Sequence, residues 1–268
     1  MSYSVLALDL DGTLTDSQKR VSPASKAAIH AAIGQGVAVV LASGRPMIGI
    51  KPVAQELDLF NLGGFIISYN GAKILNCKTG VTVFERTIRL EEILTTLNFA
   101  RLKDLAFVSY DKNGIITDHP DDPYVGKEAF NNAIPIRYVP NLEQTILEAQ
   151  PKVMIVGKPE LLAPAQKDLQ ELLGSRATVA FSEPCFMEIT ARGIQKASSL
   201  DILLSLLGKN RSDLMVIGDG LNDIPMFDIA GLAVAMENSQ EETKKHAHVH
   251  TASNDNDGVA LAIERYIL

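Results

Sequence analysis

Three apolar runs of strand length constrain the fold of this 268-residue chain more than any other feature: Val5-Leu6-Ala7-Leu8, Val37-Ala38-Val39-Val40-Leu41-Ala42 and Leu214-Met215-Val216-Ile217. None alternates apolar with polar residues, so each strand has to be covered on both faces. That is the condition of a parallel sheet lying between helices. Each run stops at a polar turn: Asp9-Leu10-Asp11-Gly12-Thr13, Ser43-Gly44-Arg45-Pro46 and Gly218-Asp219-Gly220-Leu221-Asn222-Asp223. Ligands of open α/β sheets bind beyond the carboxyl ends of the strands. Three polar loops at one sheet edge therefore describe a site.

The order of elements divides the chain. Strand and helix patterns alternate up to about residue 60, and the first helix has Ser22 as N-cap, Pro23 at N1 and a stop near Gly34 or Gly36. Alternation resumes near residue 195. A helix rich in Leu200, Ile202, Leu203, Leu206 and Leu207 leads to the strand Leu214 to Ile217. A short helix from Pro225 to Ile229, a strand from Leu232 to Met236 and a last helix through Val259, Leu261 and Ile263 follow. The middle reads differently. Phe107 to Thr117 is a hairpin around Asn113-Gly114, which suits a type I′ turn. A second extended pair covers Thr178 to Phe181 and Phe186 to Thr190, amphipathic helices cover Glu91 to Arg101 and Glu160 to Leu173, and the acidic stretch Asp118 to Pro123 is surface loop. The expectation is a doubly wound α/β core formed by residues 1–83 and 190–268, with an inserted α+β domain at 84–189.

Composition excludes several classes. With 46% apolar and 21% charged residues the chain has the make-up of an ordinary soluble globular protein, and no stretch is long and apolar enough to span a bilayer. Met1-Ser2-Tyr3-Ser4 has no basic character, and the following apolar run contains Asp9, so no signal peptide is read and the expected location is the cytoplasm. A net charge of −7 argues against nucleic-acid and anionic-membrane partners. Cys77 and Cys185 lack any metal spacing and read as buried or idle thiols. The sequence does not decide the oligomeric state.

Asp9 and Asp11 are two residues apart at a strand end, so both project to one side. Like charges that close need a divalent cation or a shared proton. Phosphate-monoester hydrolysis suits such a pair: it is among the slowest uncatalysed reactions, accelerated by enzymes up to ~10²¹-fold, and needs several groups around one phosphoryl centre. Asp9 is the candidate nucleophile, giving an aspartyl-phosphate. Asp11 is the candidate general acid and base, a role that asks for a raised pKa. Asp219, a carboxylate oxygen of Asp9 and the backbone carbonyl of Asp11 make an oxygen set for Mg²⁺. Asp223 binds a metal water or orients its neighbours. Asn222, Ser43 and the Gly44 N–H are candidate phosphate donors. Lys196, just before an apolar-periodic helix, offers its ammonium and the helix N-terminus to an anion, although a lone lysine is ordinarily a surface residue. Arg45 has three open roles: a phosphate contact, a partner for an acid, or cover for the sheet edge.

Taken in order, Asp9-Leu10-Asp11-Gly12-Thr13, Ser43-Gly44-Arg45-Pro46, Lys196 and Gly218-Asp219-Gly220-Leu221-Asn222-Asp223 resemble the four motifs of the haloacid dehalogenase-like hydrolases. Tyr69-Asn70-Gly71-Ala72 and Asp257-Gly258-Val259-Ala260 are similar to the Cof-type phosphatases of class IIB. The resemblance covers the whole chain. It implies a Rossmann-like core, a cap inserted between the second and third motifs, Mg²⁺ dependence, and a phosphate site made by Leu10, Ser43, Gly44, Lys196 and Asn222. It also implies that the cap largely sets substrate choice. Glu188, at the end of its strand, and Asn70, in a core loop, are candidate substrate contacts, with structural roles as the alternative. Ala197 departs from the pattern, which usually has Gly after the lysine.

The expected activity is therefore hydrolysis of small phosphorylated metabolites, such as sugar phosphates or phosphorylated cofactors. Alternatives are a phosphotransferase using the same intermediate and a non-catalytic phosphometabolite sensor. His246, His248 and His250 alternate and would share one face of a strand. The preferred reading is a polar face on a late edge strand rather than a second metal site.

Overall fold

The structure, a computed structural model, describes residues 3–268; Met1 and Ser2, part of the start read above for a leader, lie outside the described residues. In chain order the first elements are β1 (Val5–Leu8), α1 (Pro23–Gly34), β2 (Ala38–Ala42), α2 (Met47–Glu56), α3 (Leu59–Leu62), β3 (Phe65–Ser68), β4 (Lys73–Asn76) and β5 (Thr82–Glu85). The middle contains α4 (Leu90–Leu102), β6 (Ala106–Asp111), β7 (Gly114–Thr117), α5 (Pro123–Asn132), β8 (Ile136–Tyr138), α6 (Leu142–Thr145), β9 (Lys152–Val156), α7 (Pro159–Leu173), β10 (Ala177–Glu183) and β11 (Phe186–Ala191). The chain closes with α8 (Lys196–Leu207), β12 (Leu214–Gly218), α9 (Ile224–Ile229), β13 (Leu232–Ala235), α10 (Glu241–Lys245), β14 (Val249–His250) and α11 (Gly258–Tyr266). Two compact units result. One holds the residues up to Phe84 together with Gln195–Leu268, and the other is Glu85–Ile194.

The first unit is built on an eight-stranded sheet in the order β14-β13-β12-β1-β2-β3-β4-β5, parallel from β14 through β3. β1 shows why its sequence is apolar throughout. Leu6 and Leu8 enter a core with Ile29 and Ala32 of α1, Ile50 of α2 and Val259 and Ile263 of α11, whereas Val5 and Ala7 enter another with Leu200, Leu203 and Leu204 of α8 and Phe227 of α9. Burying each of the larger side chains among these stabilises the fold by about 1.5–3 kcal/mol. α1 starts as its sequence predicts: the Ser22 side chain accepts from the Ser25 N–H at 3.1 Å, with Pro23 in the first turn. β1 lies between β2, which follows it in the chain, and β12, which comes some 200 residues later, so the order in which strands are added reverses beside β1. That reversal opens a crevice at the carboxyl ends of β1 and β12.

The second unit has a six-stranded sheet, β10-β11-β9-β6-β7-β8, antiparallel except where β8 runs parallel to β7. Phe107, Val153, Ile155, Met187 and Ile189 pack with Ile93 and Leu97 of α4 and Leu162, Leu169 and Leu173 of α7. One expectation is corrected here. The hairpin exists, but Asp111 pairs with Gly114, so the turn is Lys112-Asn113. Neither turn residue has positive φ, so it is not type I′; the Asp111 carboxylate accepts from the Asn113 N–H at 2.7 Å and Gly114 alone takes φ 140°. The acidic stretch is surface loop as read up to Asp122, which accepts from the Tyr124 and Val125 N–H groups and starts α5, a helix the periodicity does not announce. Among the described residues no helix is long and apolar enough to cross a membrane.

Candidate active site

Asp9 follows β1 directly, and its backbone N–H donates to Ile217 O at 3.0 Å, so the strand pairing itself presents the carboxylate at the edge. Lys196 is the first residue of α8 and is only 1% exposed, unlike an ordinary surface lysine. Its Nζ donates to Asp9 Oδ1 at 2.5 Å and to Asp223 Oδ1 at 2.7 Å. Asp223 is fully buried, and its other oxygen accepts from the Asp219 and Gly220 N–H groups, each at 3.0 Å. It therefore orients both the lysine and the turn carrying Asp219. One carboxylate oxygen from each of Asp9, Asp219 and Asp223 lies within 4.8 Å of the others. Gly12 makes this approach possible: at φ 81°, a Cβ there would stand 2.4 Å from Asp219 Oδ2.

Asp11 departs from its expectation. Arg45 grips it with Nε on Oδ2 at 2.7 Å and Nη2 on Oδ1 at 2.5 Å, while Lys19 Nζ reaches Oδ1 at 2.5 Å. Burial pushes the Asp11 carboxyl up, but the Arg45 hydrogen bond and charge, followed by those of Lys19, outweigh it and hold the pKa below the usual range. In this arrangement Asp11 is an ionised carboxylate, not an acid with a raised pKa. Of the three roles open to Arg45, partner to an acid is the one observed, and Nη1 also donates to Gly49 O at 3.2 Å.

The phosphate-donor candidates of the first unit converge. Ser43 is buried at the end of β2, with its N–H on Ile67 O and its hydroxyl accepting from the Arg45 N–H at 3.2 Å. Asn70 is held beside it by an N–H bond to Ser43 O at 3.0 Å, and a Cβ on Gly44 would lie 3.0 Å from Asn70 Oδ1. Asn222 Nδ2 donates to that Asn70 oxygen at 3.4 Å. Tyr69 and Asn70 both take positive φ, near 54° and 53°, a conformation uncommon for residues with side chains and costly enough to need support. The support comes through Gly71, whose carbonyl accepts from the Ser199 hydroxyl of α8. The Leu10 side chain is fully buried in the core, so any contact from Leu10 to a ligand runs through its backbone.

The remaining candidates lie elsewhere. Glu188 is the third residue of β11, not its end, and sits in the second unit, where its carboxylate accepts from Lys152 Nζ at 2.8 Å. The three histidines do not share a strand face. His246 ends α10 against Asp228 at 2.9 Å, His248 Nδ1 accepts from the Ala233 N–H at 2.9 Å, and His250 faces Lys244 O at 3.3 Å. Cys77 and Cys185 are buried free thiols, and burial pushes the Cys77 thiol up to about 11.

The model of the family described as haloacid dehalogenase-like hydrolase matches residues 6–263. The chain belongs to that family. It is 31% identical over 269 residues to the "Putative phosphatase YxeH" of Bacillus subtilis (strain 168), covering 99% of each chain. A haloacid dehalogenase-like hydrolase from Bacteroides thetaiotaomicron, solved by crystallography, superposes with a TM-score of 0.95 at 42% identity, covering 98% of this chain and 99% of the other. The subclass IIB sugar phosphatase BT4131 superposes with a TM-score of 0.83 at 25% identity, covering 99% of this chain and 100% of that one. The fold and these relatives make the chain a phosphatase of the haloacid dehalogenase-like type.

The charge balance of the site fits the divalent cation such enzymes generally use. Three carboxylates meet one buried ammonium, which Asp9 and Asp223 share. Burial and then the Asp223 charge push the Asp9 carboxyl well up despite Lys196. Burial pushes Asp219 up to about 6; the Thr13 hydroxyl, donating to Oδ1 at 2.6 Å, opposes this, and the Asp223 charge adds to it. Clustered, undercompensated oxygen donors are what a hard cation such as Mg²⁺ requires. Between the ordinary carboxylate range and about 6, folded Asp219 keeps a proton that the unfolded chain has released, so its ionisation costs the cation-free fold stability as pH rises. A cation bound there replaces that proton. Mg²⁺ is therefore expected to raise the melting temperature more at pH 7.5 than at pH 5, where protonation of Asp219 weakens its apparent affinity about tenfold. Equal shifts at both pH values would remove Asp219 from the cation site.

Thr13 and Lys19 had no role assigned from sequence. Thr13 was visible within the first motif, whereas nothing in the spacing of Lys19 signals its contact. Its reach depends on a positive φ of 61° in the turn after Asp16.

Proposed function

We propose that the protein is a Mg²⁺-dependent phosphatase that hydrolyses small phosphorylated metabolites through an aspartyl-phosphate at Asp9. The observation that carries this reading is the Asp9 carboxylate at the strand edge, held by the Lys196 ammonium at 2.5 Å and within one ligand sphere of Asp219 and Asp223. In this reading Asp9 attacks phosphorus, and the bond from phosphorus to the leaving oxygen breaks as the aspartyl-phosphate forms. Lys196 orients the nucleophilic oxygen and offsets phosphoryl charge. Ser43, the Gly44 and Leu10 N–H groups and Asn222 receive the phosphate oxygens. Asp9, Asp219 and the Asp11 carbonyl would hold the Mg²⁺, with Asp223 setting the turn. The cation supplies charge neutralisation for the phosphoryl group.

Asp11 protonates the leaving alcohol and later deprotonates water. In that role its side chain has to turn from Arg45 and Lys19 toward the leaving oxygen, exchanging two ion pairs for the proton that lets it act as an acid. Arg45 and Asn70, at the rim of the first unit's sheet, are the proposed contacts to the rest of the substrate. A sugar phosphate is the preferred class, in line with the subclass IIB relative. Two buried, unpaired thiols support action in the reducing cytoplasm.

Purified protein with Mg²⁺ is expected to release inorganic phosphate from members of a sugar-phosphate and cofactor-phosphate panel. Chelation should abolish release, and re-added Mg²⁺ should restore it. Transfer of the phosphoryl group to a second alcohol in place of release would favour the phosphotransferase, and binding with no turnover of any monoester would favour the sensor.

A further inference from the structure

The loop after β1 carries Asp11 and Thr13, yet side chains from the far end of the chain hold it. Asn238 Nδ2 donates to the Gly12 carbonyl at 2.8 Å, across 226 residues of sequence. Asn254 Nδ2 donates to the Thr15 carbonyl at 2.9 Å. The Asp255 carboxylate accepts from the Ser17 N–H at 2.8 Å and from its hydroxyl at 2.7 and 2.8 Å. The two asparagines are joined, because the Asn254 N–H donates to Asn238 Oδ1 at 3.0 Å. Next to the clasped Ser17, on its N-terminal side, Asp16 Oδ1 accepts from the Gln18 and Arg20 N–H groups, closing the tight turn that sends Lys19 back to Asp11.

We infer that Asn238, Asn254 and Asp255 are positioning residues that hold the Gly12–Ser17 loop so that the backbone carrying Asp11 and the Thr13-bound Asp219 keep their places relative to Asp9. The inference rests on the phosphatase reading proposed above. Two physical points separate it from a merely structural role. These hydrogen bonds are largely exposed, and bonds of that kind add little to global stability. The groups they place, by contrast, belong to reacting geometry, where an error of 1 Å lowers rate on the order of 10²-fold. Loss of the clasp should therefore move turnover far more than melting.

The test compares Asn238→Ala, Asn254→Ala and Asp255→Ala with Asn256→Ala, whose native side chain donates to Ser253 Oγ at 2.7 Å. The clasp variants are expected to lose about 10–100-fold in kcat on an aryl phosphate, with KM within about twofold of the parent and melting close to that of the Asn256 control. In the cation-free protein the Ser17 amide of Asp255→Ala should exchange hydrogen about tenfold faster than in the parent. Losses of kcat that only track falling melting temperature, or kcat equal to the control, would overturn the inference. If the parent protein releases no phosphate at all, the phosphatase reading fails on its own. The exchange measurement then still decides the clasp, and an unchanged Ser17 rate overturns it.

Discussion

Asp9→Asn is expected to lower kcat for phosphate release by about 10⁴-fold or more while leaving the protein folded. Asparagine has nearly the shape of aspartate, and its carbonyl can still accept from Lys196 Nζ, now 2.5 Å from Asp9 Oδ1. What is lost is the anionic oxygen that would attack phosphorus. Folding should tolerate the change, because Asp9 is buried beside Asp223 and Asp219 and its ionisation is disfavoured by that burial and by those charges. The substitution also removes one charge from the candidate cation site, so stabilisation by Mg²⁺ should shrink. The checks are a phosphate-release assay and thermal melting with and without Mg²⁺. A folded Asp9→Asn protein keeping a tenth or more of parental activity would rule out covalent catalysis at this position.

The second large effect is on stability as well as rate. Lys196→Met keeps the stem of the side chain but removes the ammonium shared by two buried carboxylates, Asp9 at 7% and Asp223 at 0% exposure. Breaking a buried ion pair by removing one partner costs about 3–5 kcal/mol, because the other charge is left uncompensated. Urea unfolding should shift by that amount, and turnover should fall with it. Added Mg²⁺ is expected to recover part of the stability and little of the rate, since a cation offsets the carboxylates without reproducing the Nζ contact to Asp9. A Lys196→Met midpoint equal to that of the parent would mean the ammonium does not hold the site together.

Much of the first unit was legible because its signals are local. The Ser22-Pro23 start of α1 and the apolar runs of β1, β2 and β12 depend on backbone chemistry and burial that neighbouring residues report. The motif carboxylates were legible for the same reason, as polar turns after buried strands. Legibility faded where a residue's role is set by partners far away in sequence. The Asn113-Gly114 pair suggests a type I′ turn, but strand register moved the turn back to Lys112-Asn113 and used the Asp111 side chain to close it. His246, His248 and His250 alternate in sequence, yet the strand there spans only Val249–His250, so each ring found its own partner.

By itself the sequence determined a parallel sheet covered on both faces, the strand ends at which polar chemistry can gather, and the carboxylates and lysine available for it. Tertiary structure alone decided their electrical state. Lys196 became the buried counter-charge of Asp9 and Asp223, Asp11 was drawn into ion pairs with Arg45 and Lys19, and Asn238, Asn254 and Asp255 were brought onto the Asp11 loop. The physical reason is the range of each interaction. Periodicity and capping act over a few residues, whereas a pKa depends on burial and on whichever charges stand within a few ångströms, and those neighbours come together only when distant segments pack.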